Sequence, residues 1–283
     1  MATQNNTPKQ DWNPYQQRAA LKPANQILTD FISTHPEEIK TAVELGCGAL
    51  SDSIYLASQG IQTVGVDGTI NKDLVTTILN NQPQAVKNNL TLQQQSFENL
   101  TLPKADLVYS FASIPFCDKS QIGNLIGNIA SSVNPNGYVL THFFAKDHPF
   151  TIGQGTATGF TSQQLESVFS YLGFEVTTTE WQSTQNQLGQ QLPNMNNILI
   201  TGKAPEVLPE FNVDTINELL GLTPEQIETH NDVLSHYGLT PAESMSTQAN
   251  NTTPVENSSQ TGFETIKVDN VPPPITPPSA PEH

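Results

Sequence analysis

Arginine is almost missing from this 283-residue chain: Arg18 stands alone, and 11 residues are Lys or Arg against 27 Asp or Glu. The resulting charge of −16 repels phosphate backbones, which argues against nucleic acid as a partner. A single arginine also leaves little for bidentate phosphate recognition. Cysteine is nearly as scarce: Cys47 and Cys117 do not make a disulfide scaffold and are expected as reduced thiols, which points to a cytoplasmic location. No apolar run approaches the ~20 residues of a membrane span, so no membrane role is expected. Residues 1–11 are polar and lack the apolar stretch of a cleaved signal peptide. The polar, weakly charged composition also suits a delivered bacterial effector, so export stays open as the alternative location.

What the chain does have is a regular alternation. Between residues 23 and 203, short apolar runs alternate with stretches whose apolar residues recur at helical spacing. Strands are expected at 41–45, 61–66, 90–94, 105–110 and 138–144. Helices are expected from Pro23 through Phe31 and Ile32, at 51–59 up to Gly60, at 71–79, at 120–133, and at 161–171 behind a Thr161/Gln164 capping box. Residues 174–181 and 197–203 read as a closing hairpin with a long polar connection. Strand and helix in alternation argue for a parallel sheet covered on both faces. The expected class is α/β: a Rossmann-like, seven-stranded, mostly parallel sheet with a C-terminal antiparallel hairpin and helices on both faces.

Composition changes after Lys203. Helical patterns at 214–220 and 223–237, each stopped by glycine, predict a small helical appendage over 205–244. Gly221-Leu222-Thr223-Pro224 recurs as Gly238-Leu239-Thr240-Pro241; two copies are too few for a solenoid. Residues 245–283 are rich in Ser, Thr, Asn and Pro and are expected to be disordered or polyproline II. The expected division is a polar N-terminal segment (1–22), a ligand-binding domain (23–204), the appendage and the tail. A protein partner could meet the chain through its C-terminal region or its proline-rich end.

The segment Glu44-Leu45-Gly46-Cys47-Gly48 places two glycines after a strand and before a helix. Glycine there lets a ligand approach the main chain, and the carboxyl ends of parallel strands form the ligand crevice. Asp67 ends the second strand, where an acid can accept hydrogen bonds from both ribose hydroxyls. A dinucleotide uses a similar layout, but its fingerprint needs glycine at Ser51, and Glu44 would repel a pyrophosphate. A cofactor with a sulfonium and an ammonium is favoured by the same acid.

Over about residues 40–203 the chain resembles the class I S-adenosylmethionine (SAM)-dependent methyltransferases, and within them the small-molecule group of tellurite-resistance-type and thiol methyltransferases. Gly46-Cys47-Gly48 followed by Asp52-Ser53-Ile54-Tyr55-Leu56-Ala57 is similar to that group's glycine loop and helix start. Val64-Gly65-Val66-Asp67 is similar to its ribose-binding strand, and the segment from Ala105 through Ser110 and Phe111 to Cys117 to its fourth strand and loop. Three positions depart from the pattern: Leu50 and Asn136, where glycine is common, and Ser96, where an acid usually meets the adenine amine. Adenine recognition then falls to the backbone and Phe97. The resemblance implies SAM as cofactor, held around Glu44, Gly46, Cys47, Gly48, Asp52, Asp67, Gly68, Ser96, Phe97, Ser110 and Phe111, with a small-molecule acceptor and a protein acceptor as the alternative.

Methyl transfer from a sulfonium is an in-line displacement in which alignment supplies much of the rate. A base is needed only when the nucleophile arrives protonated, so a missing triad does not argue against an enzyme. His148 is the candidate proton acceptor or acceptor-binding group; its plain alternative is a solvated loop histidine. Trp12, Tyr15, Phe116, His142 and Asp147 are the candidate acceptor-binding residues, Trp12 and Tyr15 through a lid over the cofactor that the resemblance implies for residues 1–22; their plain alternative is an apolar anchor on the domain. Cys117 is expected to be a buried structural thiol. No metal site is expected from these residues. Two rivals remain: an inactive methyltransferase-fold interaction module, and an NAD(P)-binding oxidoreductase.

Overall fold

A computed structural model describes residues 12–20, 22–152, 157–186, 189, 191–225 and 264–267. Its centre is one sheet. Five strands fall where alternation predicts them: β1 (Thr41–Leu45), β2 (Gln62–Asp67), β3 (Leu90–Gln94), β4 (Ala105–Ser110) and β5 (Val133–Ala145). β6 (Gly159–Phe160) pairs with the end of β5, β7 (Glu175–Gln185) and β8 (Gln191–Lys203) form the hairpin, and β9 is Glu264–Lys267. The order is β7-β8-β5-β4-β1-β2-β3-β9; β1 to β5 are parallel where they pair, while β8 and β9 run antiparallel to β5 and β3.

The seven expected strands are present and two short ones extend the sheet to nine among the described residues. β6 is too short to show a period, and β9 falls inside the stretch expected to be disordered. The hairpin connection expected to be long and polar is largely strand. Along β7 half-buried and exposed residues alternate, the pattern of a strand with one wet face.

Helices cover both faces. On one side lie α2 (Gln26–Thr34), α3 (Ser51–Ser58), α4 (Lys72–Asn80) and the single-turn α5 (Gln84–Asn88). On the other lie α6 (Ile122–Ser132) and α8 (Ser162–Tyr171), with α9 (Val213–Leu220) packed on them. The expected capping box of α8 is formed in both directions. β1 shows how the sheet divides: Val43 and Leu45 join the α6-side core, whereas Ala42 packs with α2. α9 is no loose appendage, because Ile216, Leu220 and Leu222 lie in the same core as α6 and α8. Its approach depends on Gly123 and Gly127, where a Cβ would meet the Asn217 amide and the Phe211 ring. The second Gly-Leu-Thr-Pro copy, its helix and all of the tail except β9 lie outside the described residues.

The chain leaves β1 toward β2 and β3 on one side and returns to β4 and β5 on the other. That reversal opens a crevice at the carboxyl ends of β1 and β4, where Leu45 stands opposite both Val66 and Ser110. The remaining helices, α1 (Asn13–Ala19) and the one-turn α7 (Pro149–Ile152), contribute residues that flank this crevice. Among the described residues no helix is long and apolar enough to cross a membrane.

Candidate cofactor and acceptor site

The loop after β1 is folded onto the end of β2. The Gly46 and Cys47 amides both donate to the Val66 carbonyl, at 2.7 and 3.1 Å. Gly46 has φ +78°, and a Cβ there would collide with the Ser113 hydroxyl. The Gly48 amide donates to one Asp67 carboxylate oxygen at 2.9 Å and the Thr69 amide to the other at 2.8 Å. Asp67 thereby locks the glycine loop, and each oxygen keeps lone-pair capacity for a ligand.

Leu50, which replaces the expected glycine, holds the left-handed backbone that glycine would serve, with φ +68°. The strain for a branched side chain is about 1–2 kcal/mol, and complete burial of Leu50 between α3 and α4 offsets it. Asn136 repeats the pattern with φ +60°, in a residue that tolerates this region well. Both departures from the family pattern thus preserve the backbone shape.

Acids converge beneath the loop. Glu44 is buried and accepts the Ser53 hydroxyl. Asp52, in the first turn of α3, accepts the Asn25 amide at 2.7 Å. Burial, then the neighbouring Asp52 and Asp67, pushes the Glu44 carboxyl well above its usual range. Burial raises Asp52 and Asp67 as well, opposed only by hydrogen bonds to each. The buried Tyr109 hydroxyl faces the same acids and makes no hydrogen bond of ordinary geometry. Among the described residues no cation figures in the groups that shift these carboxyls. A donor set of crowded acids, lone acceptors and exposed backbone at glycine fits a ligand that brings positive charge and hydroxyl donors.

The other predicted cofactor residues divide. Gly68 lies against Ser96, within 3.7 Å of its Cα for an added Cβ, so the loops after β2 and β3 meet beside Asp67. Phe97 packs on the α6-side core. Ser110 is fully buried and donates to the Leu45 carbonyl at 3.1 Å, which commits it to the sheet. Cys47 is buried, and burial with the nearby acids drives its thiol well above the usual range.

Along the ends of β4 and β5 runs a chain of rings. Phe111 stacks on His142 at 4.3 Å, Phe144 stacks on His148 at 3.9 Å, and Phe116 meets Phe144 edge-on at 5.6 Å. Trp12, at the start of α1, meets Phe116 at 5.1 Å and Tyr15 at 6.1 Å. Trp12 therefore contacts the loop after β4, with Tyr15 against its other side. His142 is wholly committed: its Nδ1 accepts the Ala112 amide at 3.1 Å and its Nε2 faces the Asn197 amide oxygen at 2.9 Å. It holds Ala112 at φ +55°. Burial pushes its pKa down to about 3.

His148 is not the solvated loop histidine that the plain reading allowed. It is fully buried, because the chain turns back after β5 and stacks the ring on Phe144. Its Nδ1 accepts the Phe150 amide at 3.2 Å, while Nε2 has no partner among the described residues. Burial, partly countered by Asp147, lowers its pKa to about 4. Asp147 itself turns the other way: it accepts the Asn196 amide at 2.7 Å and borders a cleft of about 500 Å³ with Glu180 and Trp181. Gln16, Tyr109, Trp181 and Asn197 had no site role in the sequence: Gln16 belongs to no motif, and the other three stand only within or at the ends of strand runs. Among the described residues no group of His, Cys, Asp and Glu can hold a metal ion.

A glycine loop after β1, an acid closing β2 and a parallel sheet that reverses between β1 and β4 together define the class I methyltransferase architecture. The family model for the tellurite resistance protein TehB matches residues 28–198, more than half of the chain. The chain belongs to that family. No curated protein matches it. Among solved structures it is similar to TehB from Haemophilus influenzae, at 16% identity and a TM-score of 0.49 over 64% of this chain; it spans 62% of that protein. It is also similar to the 1,6-didemethyltoxoflavin-N1-methyltransferase from Burkholderia thailandensis, crystallised with 1,6-didemethyltoxoflavin and S-adenosylhomocysteine (13% identity, TM-score 0.50, 68% of this chain and 81% of that one). A third is the magnesium protoporphyrin IX methyltransferase from Synechocystis (15% identity, TM-score 0.48, 67% and 83%).

Proposed function

We propose that this protein is a SAM-dependent methyltransferase acting on a small-molecule thiol, chalcogen, oxygen or nitrogen nucleophile. The observation that carries the reading is the set of buried acids, Glu44, Asp52 and Asp67, gathered at the glycine loop, with no cation among the described residues that shifts their carboxyls. SAM, when bound, supplies an already activated methyl group on a cationic sulfur. Glu44 and Asp52 provide the negative field for that charge, Asp67 accepts ribose hydroxyls, and Gly46 and Gly48 let the ligand lie on the backbone.

The acceptor belongs on the aromatic side, beside Phe111 and Phe116 and under the lid residues Trp12 and Tyr15. His142 and Ser110 support this wall from within the core. His148 has a defined part. Because Nδ1 accepts the Phe150 amide, the neutral ring carries its proton on Nε2. It serves as a hydrogen-bond donor to the acceptor and not as the base. Rate enhancement then comes from alignment and exclusion of water.

Calorimetric titration with SAM and with S-adenosylhomocysteine (SAH) tests the reading, and a screen of small acceptors with labelled SAM identifies the nucleophile. Failure to bind either cofactor form at millimolar ligand would overturn it in favour of a methyltransferase-fold interaction module. Binding of NADH in a fluorescence titration would favour an oxidoreductase instead.

A further inference from the structure

α1 lies outside every motif of the sheet, yet it places one polar side chain directly over the glycine loop. Gln16 is only 2% exposed. Its Nε2 donates to the Thr69 carbonyl at 2.6 Å, and its Cγ lies 4.0 Å from where a Gly48 Cβ would stand. The contact to Thr69 fixes the amide orientation, because a flipped amide would set two oxygens against each other. The other end is therefore Oε1, and it is buried with no hydrogen-bond partner among the described residues. Buried amide oxygens are rarely left so, since the lost hydration is not recovered.

The surroundings tell what is missing. Asp67 sits on the same loop pair, with each oxygen accepting one backbone amide, from Gly48 and from Thr69. Gln16 Oε1 and Asp67 are thus acceptors grouped around the Gly48 and Thr69 backbone. Acceptors so grouped call for a ligand carrying adjacent donors, which is the chemistry of a vicinal diol.

We propose that Gln16 is a cofactor-binding residue, whose Oε1 accepts a hydrogen bond from a ribose hydroxyl of SAM so that α1 and Asp67 grip the diol from two sides. This rests on the reading of the site as a SAM site. It makes α1 a wall of the cofactor site, with Trp12 on Phe116 joining the same helix start to the acceptor wall.

Calorimetry on the full chain decides it, with SAH and with SAH analogues lacking the 2′- or the 3′-hydroxyl as probes. Gln16→Leu is expected to weaken SAH about tenfold, the effect of one lost hydrogen bond to a buried group. It is expected to leave the affinity for one of the two deoxy analogues unchanged, since that ligand has already lost the bond. Unchanged SAH affinity in Gln16→Leu, as when a water occupies Oε1, would overturn the proposal. So would an equal loss for SAH and both analogues, which marks a purely structural role. Wild-type protein that binds neither SAM nor SAH would overturn the cofactor reading itself, a distinct result.

Discussion

Asp67 does two tasks that a sequence motif merges into one. It accepts the Gly48 and Thr69 amides, so it shapes the loop besides offering the proposed ribose contact. Asp67→Ala is expected to weaken SAM at least tenfold by calorimetry, whereas Cys117→Ala leaves it unchanged. Cys117 is buried in the α6-side core and its thiol is pushed up to about 12, which makes it inert. His142 and His148 make a pH prediction. Their folded-state pKa values, about 3 and about 4, lie below the ordinary 6.5. The unfolded chain therefore binds more protons between pH 6.5 and 4, and stability falls as pH drops through that window. The raised acids Glu44, Asp52 and Asp67 act with the opposite sign, losing stability as pH rises above the ordinary carboxylate range. Urea midpoints measured from pH 4 to 8 check both limbs. His142→Phe should abolish part of the acid limb and cost about 1–3 kcal/mol, since it leaves the Ala112 amide and Asn197 unmet.

At the level of elements, the strands with strong period were legible to the residue: 41–45, 90–94 and 105–110 are the observed β1, β3 and β4. The hairpin was not. Its distal half is Gln- and Asn-rich, polar enough to pass for a loop, and it is strand because β7 and β8 pair along much of their length. α7 and α5 were missed because single turns carry no readable period. α9 was legible as a helix but its seat in the core was not, since the glycines that receive it, Gly123 and Gly127, lie far away in α6. Gly123→Ala should therefore destabilise the protein by about 1–3 kcal/mol, measured by urea unfolding. Asn217→Gly in the same chain should recover part of that loss by making room. Equal midpoints for wild type and Gly123→Ala would show that α9 is not tightly seated.

For the whole molecule, the sheet ends in β9, paired antiparallel to β3 from Thr91–Lys267 to Gln94–Glu264. Removal of residues 245–283 should leave the fold and SAM affinity intact, because β9 is four residues at an edge remote from the crevice. It should lower the melting temperature by a few degrees, through exposure of the β3 edge. Circular dichroism melts of the two chains compare this directly; collapse of the fold would show that the tail carries more than an edge strand.

Residue order alone determined the fold class, the glycine loop and the acid that closes β2. Those depend on periodicity and on short spacings, which survive in one dimension. Tertiary structure decided the rest. It buried His148 and turned its free nitrogen inward, spent His142 on Ala112 and Asn197, joined α9 to the core and laid Gln16 over Gly48. Each of these joins residues from distant segments, and what such a side chain meets depends on how the elements pack, which no local pattern records.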